Sequence, residues 1–420
     1  MRKPRSTLMT TAGMAFAAAL GLLGSIVGPS VGEAQAAPTG IRVSDGRVVE
    51  ANGNEFVMRG INHAHTWYPE QTTAIADIAA KGANTVRVVL GSGDRWTKTS
   101  ASQVSGLIGQ CKANKVICVL EVHDTTGYGE DGAATTLDKA ADYWISVKSA
   151  LEGQEDYVVV NIGNEPYGNT NASAWTGATK SAISKLRSAG LNHALMVDAP
   201  NWGQDWSGTM RANAASVFAS DPDRNTIFSI HMYGVYDTAA EVQDYLNHFV
   251  NNRLPIAVGE FGDAHSDGNP DEDAIMATAQ SLGVGYIGWS WSGNGSGVEY
   301  LDMANGFDPN SLTSWGNRFI NGVNGIAATS EAASIYGGGG GTGSGTAPNG
   351  YPYCANGSSS DPDGDGWGWE NNRSCVVPGS GTAPNGYPYC VSGSSSDPDG
   401  DGWGWENSRS CVVAGSSADS

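Results

Sequence analysis

The sequence predicts a (β/α)8 barrel followed by two small β-rich modules, each stapled by a disulfide. Three observations carry this. Between Ile41 and Ala327, eight short runs rich in β-branched residues alternate with stretches of helical spacing. Runs such as Val158-Val159-Val160 are apolar on both faces, as strands are in a parallel sheet covered by helices. After Tyr336 the chain turns to glycine and then repeats itself, Gly345–Cys354 recurring as Gly381–Cys390 and Ser358–Glu370 as Ser394–Glu406. A doubly wound open sheet is the competing architecture, but no G-x-G-x-x-G follows the first strand.

Residues 1–36 read as a secretory signal. Arg2, Lys3 and Arg5 precede an uncharged run from Ser6 to Val31, and Ala34-Gln35-Ala36 supplies a small-x-small cleavage site. Thr10, Thr11, Ser25, Pro29 and Ser30 interrupt the run, which suits a cleaved signal better than a membrane anchor. No adjacent Arg-Arg pair indicates a twin-arginine route. The expected mature protein is therefore extracellular, with no membrane segment.

Residues 38–328 form the barrel region. Candidate strands are Val57–Ile61, Thr85–Leu90, Val116–Val122, Tyr157–Ile162, Ala194–Val197, Thr226–His231, Ile256–Glu260 and Gly285–Trp291. Candidate helices between them are Gln71–Lys81, Ala101–Asn114, Leu137–Leu151, Ala172–Ala189, Ala239–Asn251 and Asp271–Leu282. An amino-terminal hairpin, Ile41–Val49 with Glu55–Met58, is expected to close the bottom of the barrel. Residues 329–346 form a Gly-rich linker that can bury nothing. Repeats at 347–377 and 384–413 follow, joined by a second linker at 378–383. Two copies rich in Gly, Pro and Asp, without helical periodicity, read as two beads rather than a solenoid.

Composition narrows the partner. Asp+Glu outnumber Lys+Arg 43 to 23, and loss of the signal (three positive charges and Glu33) would move the net charge from −20 to −22. Nucleic acid needs clustered cations that release counterions, and anionic lipids or polysaccharides are repelled. A neutral polymer meets no such barrier.

In a barrel of this kind, function collects at the carboxyl ends of the strands. Polar residues gather there: Asn62 and His63, Arg87, His123 and Asp124, Asn164 and Glu165, His231 and Tyr233, Glu260, Trp289 and Trp291. Glu165 and Glu260 stand at the ends of apolar runs, on strands four and seven. Two carboxyl groups facing across one pocket suit glycosidic cleavage, and a spacing of ~5–5.5 Å would mean retention of configuration.

The set Asn164-Glu165-Pro166, Gly259-Glu260-Phe261-Gly262, Arg87, His123, His231-x-Tyr233 and Trp289 resembles glycoside hydrolase family five. Arg59–Trp67, Val119–Asp124, Ile162–Tyr167, Ile230–Tyr233 and Gly288–Gly293 are similar to segments of its bacterial endo-β-mannanases. The resemblance implies Glu165 as acid/base and Glu260 as nucleophile. It implies that Asn164 meets the sugar 2-hydroxyl, that Arg87 and Tyr233 hold Glu260 ionised, and that His123 and His231 bind hydroxyls or orient Glu165. A protonated Glu165 at substrate binding requires a raised pKa. The substrate implied is β-mannan, with β-1,4-glucan the rival on the same barrel. A barrel kept only as a sugar-binding cleft is the rival from another class. The protein is expected to act as a monomer on neutral plant polysaccharide.

Trp67, Trp289 and Trp291 are candidate sugar platforms; Trp289 and Trp291 share a strand face, so one of them, Trp289, is expected to reach substrate. His63, His65, His123, His231 and His265 invite a zinc reading, but H-E-x-x-H and paired-cysteine spacings are absent, so no catalytic metal or other cofactor is expected.

Cysteine spacing predicts one bridge per repeat, Cys354–Cys375 and Cys390–Cys411, because beads this small need a staple. Cys111 and Cys118 read either as a third bridge or as two buried thiols. Each repeat carries aromatic pairs: Tyr351, Tyr353, Trp367 and Trp369, then Tyr387, Tyr389, Trp403 and Trp405. Residues at i and i+2 share a strand face, so Trp367 and Trp369 are expected side by side as a sugar platform. Gly-Trp-Gly-Trp-Glu followed by Arg-Ser-Cys resembles carbohydrate-binding modules of family ten, with two cysteines per copy where four are usual. Asp361-Pro-Asp363-Gly-Asp365 and Asp397-Pro-Asp399-Gly-Asp401 resemble the start of a calcium loop, but Asn372 and Ser408 occupy the twelfth position, so an Asp/Gly turn is preferred to a structural calcium site.

Overall fold

Strands apolar on both faces must be covered inside and out, and the chain meets that demand by closing them into a barrel. The computed structural model describes residues 40–337 and, beyond them, 351–352, 354, 367–370, 373–376, 387, 389–390, 396–397, 401–406, 409–413 and 416. The expected signal, the glycine run from 338, Tyr353 and the Asp361 turn lie outside the described residues. The short antiparallel pair β1 (Arg42–Ser44) and β2 (Arg47–Val49) precedes the barrel. Then come β3 (Arg59–His63), β4 (Thr85–Leu90), β5 (Ile117–Val122), β6 (Val158–Asn161), β7 (Ala194–Asp198), β8 (Thr226–Met232), β9 (Ile256–Phe261) and β10 (Gly285–Gly288). All pair parallel in chain order, and β10 returns to β3.

Side chains alternate along each strand. On β5, Cys118, Leu120 and Val122 pack outward in the layer beneath the helices, whereas Ile117 and Val119 join Ile41, Phe56, Met58, Val159, Met196 and Ile227 in an apolar plug. Ile41 and Phe56 come from the amino-terminal segment, which thus seals the lower end as expected. Above the plug the inward positions turn polar.

The helices are α1 (Ala74–Ala80), α2 (Ala101–Ala113), α3 (Leu137–Ser146), α4 (Lys148–Leu151), α5 (Trp175–Ser188), α6 (Thr209–Ser220), α7 (Ala239–Asn251), α8 (Glu272–Leu282), α9 (Ser314–Asn321) and α10 (Ile326–Thr329). Several start on a side-chain oxygen that satisfies a free backbone N–H: Ser100, in a capping box with Gln103, and Thr136, Thr238, Asp271 and Thr313.

Some boundaries differ from expectation. The first barrel strand begins at Arg59 rather than Val57, whose carbonyl accepts from the Asn84 side chain instead of a neighbouring strand. The stretch Leu137–Leu151 divides at Val147 into α3 and α4. Helix α6 was not foreseen because its buried side, Met210, Ala214 and Val217, is small, and because its cap is remote: Asp205 accepts from the backbone N–H groups of Met210 and Arg211, both at 2.8 Å.

In the repeats, β11 (Trp367–Glu370) pairs antiparallel with β12 (Arg373–Val376), and β13 (Trp403–Glu406) with β14 (Arg409–Val412). Cys354–Cys375 and Cys390–Cys411 are bonded, one bridge per repeat. Cys111 and Cys118 form no bridge and stay as two buried thiols. The expected Trp367–Trp369 platform is corrected: Trp369 is 59% exposed, but Trp367 is only 5% exposed. Tyr351 lies edge-on to Trp367 at 4.8 Å, and Tyr387 of the second repeat approaches it at 6.3 Å. In the second repeat both Trp403 and Trp405 are exposed, Tyr389 is half-buried, and Asp397 accepts from the backbone N–H groups of Asp401 and Gly402.

Candidate active site

The polar inward positions converge on Arg87, fully buried on β4. Its Nη1 donates to Glu260 Oε1 at 2.7 Å and Asn62 Oδ1 at 2.9 Å; Nη2 donates to Asn164 Oδ1 at 2.7 Å and Asp198 Oδ2 at 3.1 Å; Nε donates to Asn161 Oδ1 at 2.8 Å. Only a guanidinium offers that rigid fan of donors. Burial alone would lower its pKa, but the carboxylates of Glu121, Asp198 and Glu260 more than reverse this and raise it.

Glu260 reaches the interior through a β-bulge. Strict alternation from inward Ala257 and outward Val258 would turn residue 260 toward the helices. The register between β8 and β9 slips there, pairing Ile230 with Val258 but His231 with Glu260, so Gly259 is the extra residue and Glu260 faces inward. A side chain at Gly259 would sit 2.2 Å from Ser229 Oγ. Tyr233 donates its hydroxyl to Glu260 Oε2 at 3.1 Å. Burial and Glu260 hold the Tyr233 phenol well above its ordinary pKa, so it stays a donor. Burial pushes the Glu260 carboxyl up, opposed by His231 and Arg87.

Glu165 follows β6 and precedes Pro166, yet its φ is +39°, in a region that a residue before proline rarely adopts. Its Oε1 is 2.8 Å from His231 Nδ1. The same imidazole lies 3.6 Å from Glu260 Oε2 through Nδ1 and 3.4 Å from Asp198 Oδ2 through Nε2. Burial would lower the His231 pKa, but Glu260 and Asp198 hold it up at about 10, which makes the ring a cation between acids. Burial would raise Asp198, but His231 and Arg87 hold it down at about 2.

Ligand atoms of Glu165, His231 and Glu260 all lie within 4.8 Å of one another, and this is the group among the described residues close enough to hold a metal ion. Arg87 already places a cation on Glu260, and His231 supplies a second.

A groove of about 530 Å³ opens over the cluster, lined by Trp67, His123, Asn164, Glu165, Tyr233, Glu260 and Trp289 among others. His123 stacks on Trp289 at 5.8 Å and meets Trp67 edge-on at 4.9 Å. A second lobe of about 370 Å³, sharing Glu165 and Tyr233, is lined by Trp202 and Trp206. Trp202 donates to Glu130 Oε2 at 2.8 Å and passes over Gly127, where a Cβ would meet its ring at 2.2 Å. Glu165 and Tyr233 thus lie where two aromatic-walled lobes meet.

Arg87, His123, Asn164, Glu165, His231, Tyr233, Glu260, Trp67 and Trp289 are brought together at this mouth. Trp291 is not: it is fully buried in the core, because the strand ends at Gly288 and the chain turns away after Trp289. Asp198, Glu121, Trp202 and Trp206 were missed. The rule that polar residues cap barrel strands would have found Asp198, the residue next to the predicted strand Ala194–Val197. Glu121 is a lone acid in the apolar run Ile117–Val122.

An eight-stranded parallel barrel with two acids, one on an imidazole and one on a guanidinium, at the carboxyl ends of its strands defines the class of glycoside hydrolases. Residues 49–295 match the cellulase family, glycosyl hydrolase family 5, and residues 344–377 and 380–413 each match a cellulose or protein binding domain of the CBM_10 type. The chain is 81% identical over 378 residues to a mannan endo-1,4-beta-mannosidase of Streptomyces lividans, covering 90% of this chain and 98% of the relative. It is 54% identical over 307 residues to a mannan endo-1,4-beta-mannosidase of Cellvibrio japonicus, covering 73% and 71%. The structure of a Thermomonospora fusca beta-mannanase in complex with mannotriose aligns at 59% identity and a TM-score of 0.69, over 71% of this chain and 99% of that one. The chain belongs to glycosyl hydrolase family 5 and carries two C-terminal CBM_10 repeats.

Proposed function

We propose that this is a secreted, retaining endo-β-1,4-mannanase that cleaves internal bonds of mannan, glucomannan or galactomannan. The observation that carries the mechanism is the placing of Glu165 on His231 and of Glu260 on Arg87, with carboxylate oxygens within 4.8 Å. Carboxyl groups of retaining enzymes stand about 5–5.5 Å apart, whereas inverting ones need about 6.5–9.5 Å to admit water between them. Glu165 protonates the glycosidic oxygen while Glu260 attacks the anomeric carbon. With Glu260 esterified, Glu165, which has given its proton to the leaving oxygen, takes one from the water that releases the sugar. Asn164 meets the 2-hydroxyl and Trp289 and Trp67 flank the sugar. The relatives named as mannanases support mannan over glucan. The basic, then apolar, amino terminus supports secretion, and the repeats hold the barrel near insoluble plant polysaccharide. The protein acts as a monomer and needs no cofactor.

The test is reducing-sugar release from β-mannan and from a soluble β-glucan by the mature protein and by Glu165→Gln and Glu260→Gln. Cleavage of mannan that both variants abolish supports the reading. Cleavage of glucan alone replaces the substrate, and polymer binding without cleavage of either points to a binding protein.

A further inference from the structure

Glu121 has no part in the chemistry above, yet it is a fully buried carboxylate in the barrel interior. It is the last inward residue of β5, above Ile117 and Val119 of the apolar plug. Its Oε1 lies 2.9 Å from His123 Nδ1, and Arg87 Nη1 stands 4.0 Å away. Its Oε2, equally buried, has no hydrogen-bond partner. A buried carboxylate with one oxygen unsatisfied costs stability, and an apolar residue of similar volume would fill the place at less cost. Packing alone therefore does not account for it.

What it holds is an imidazole on the wall of the groove. His123 is clamped between Trp67, edge-on, and Trp289, stacked, and reaches the cleft surface. A carboxylate only accepts hydrogen bonds, so the ring nitrogen facing it carries the proton, and the other nitrogen remains for the groove. We propose that Glu121 is a positioning residue: it fixes the rotation of His123 and keeps it charged, so that Nε2–H is aimed as a donor at a sugar hydroxyl beside Glu165 and Glu260. The charged groups facing this ring are Glu121 from the end of β5, Glu260 from β9 and Arg87 from β4. Burial would lower the His123 pKa and Arg87 opposes the charge as well, but Glu121 and then Glu260 outweigh them and raise it. The sugar hydroxyl as target rests on the proposed function; the coupling of Glu121 to His123 does not.

The test reads the pair directly. In the full chain labelled with 15N-histidine, the His123 resonances, assigned by their loss in His123→Ala, are titrated by NMR in wild type, Glu121→Gln and Glu121→Asp. Glu121→Gln keeps shape and an acceptor but loses the charge, and its His123 midpoint should fall by about one pH unit or more. Glu121→Asp, which keeps the charge, should move it less. On mannohexaose, Glu121→Gln should cut kcat/KM about tenfold and bring its alkaline limb to lower pH, yet change it less than about twofold in a His123→Ala background. An unmoved midpoint, or the same loss with and without His123, would overturn the proposal. Failure of the wild type to cleave mannan would strike the substrate assignment and leave the NMR shift to judge the coupling.

Discussion

Arg87 Nη1 lies 2.7 Å from Glu260 Oε1, and both side chains are buried inside the barrel. The pair is the base on which the site is built, since the same guanidinium also fixes Asn164 and Asp198. Arg87→Lys keeps the charge but cannot reach all five acceptors, so we expect kcat to fall about 10²–10³-fold, the loss typical of an electrostatic support removed from a transition state. Arg87→Met removes one of the two cations beside the buried Glu260 and Asp198 and should cost about 3–5 kcal/mol in stability. Steady-state kinetics and urea unfolding check the two.

Stability should depend on pH through His231. Its pKa is raised from 6.5 to about 10 in the folded protein, so its contribution is fully present below pH 6.5 and is lost as pH rises towards 10. Asp198 runs the other way: its pKa is lowered from 3.8 to about 2, so its contribution is present above pH 3.8 and is lost as pH falls towards 2. In Tm scans, the gap between wild type and His231→Gln should be widest near pH 6 and narrow by pH 10.

Gly259 is expected to tolerate no side chain. A Cβ there would meet Ser229 Oγ at 2.2 Å and press on His231 Nε2 at 3.1 Å, the imidazole that lies against Glu165 and Glu260. Gly259→Ala should lower stability by about 1–3 kcal/mol. It should cut kcat more than KM, because it shifts the bulge that aims Glu260. Pairing it with Ser229→Gly should return part of both, measured by Tm and initial rates.

The repeats should separate binding from folding by residue. Trp405, 66% exposed, can be lost without disturbing a core, so Trp405→Ala should weaken retention on insoluble polysaccharide while leaving cleavage of soluble substrate unchanged. Trp367 packs with Val376 and Tyr387, so Trp367→Ala should unfold its module instead. Cys390→Ser with Cys411→Ser should destabilise the second module by about 2–5 kcal/mol. Pull-down on insoluble cellulose and mannan, with limited proteolysis of each variant, distinguishes these outcomes.

Much of the site was legible because barrel strands carry an unmistakable pattern. Val158–Val160 had to be covered on both sides, and once eight such runs were counted, Asn164, Glu165, His231 and Tyr233 fell at their ends. Trp289 lines the groove and Trp291, three residues beyond the strand's end at Gly288, is buried, so Trp289 is the one of the two that reaches the cleft, as expected. Trp202 and Trp206 were unreadable because loops have no period to count, and their place depends on Glu130 and Asn169 from distant segments.

The sequence by itself determined the barrel, the paired repeats with their bridges, and the standing of Glu165 and Glu260 at strand ends, since each follows from local periodicity, spacing or repetition. Tertiary structure alone decided which way the decisive groups point. The bulge at Gly259 turned Glu260 inward, Tyr387 of one repeat helped to cover Trp367 of the other, and Asp198 came to lie beside His231. The reason is physical: a side chain's direction and its charge state depend on neighbours far away in the chain, and these become neighbours only when the strands close.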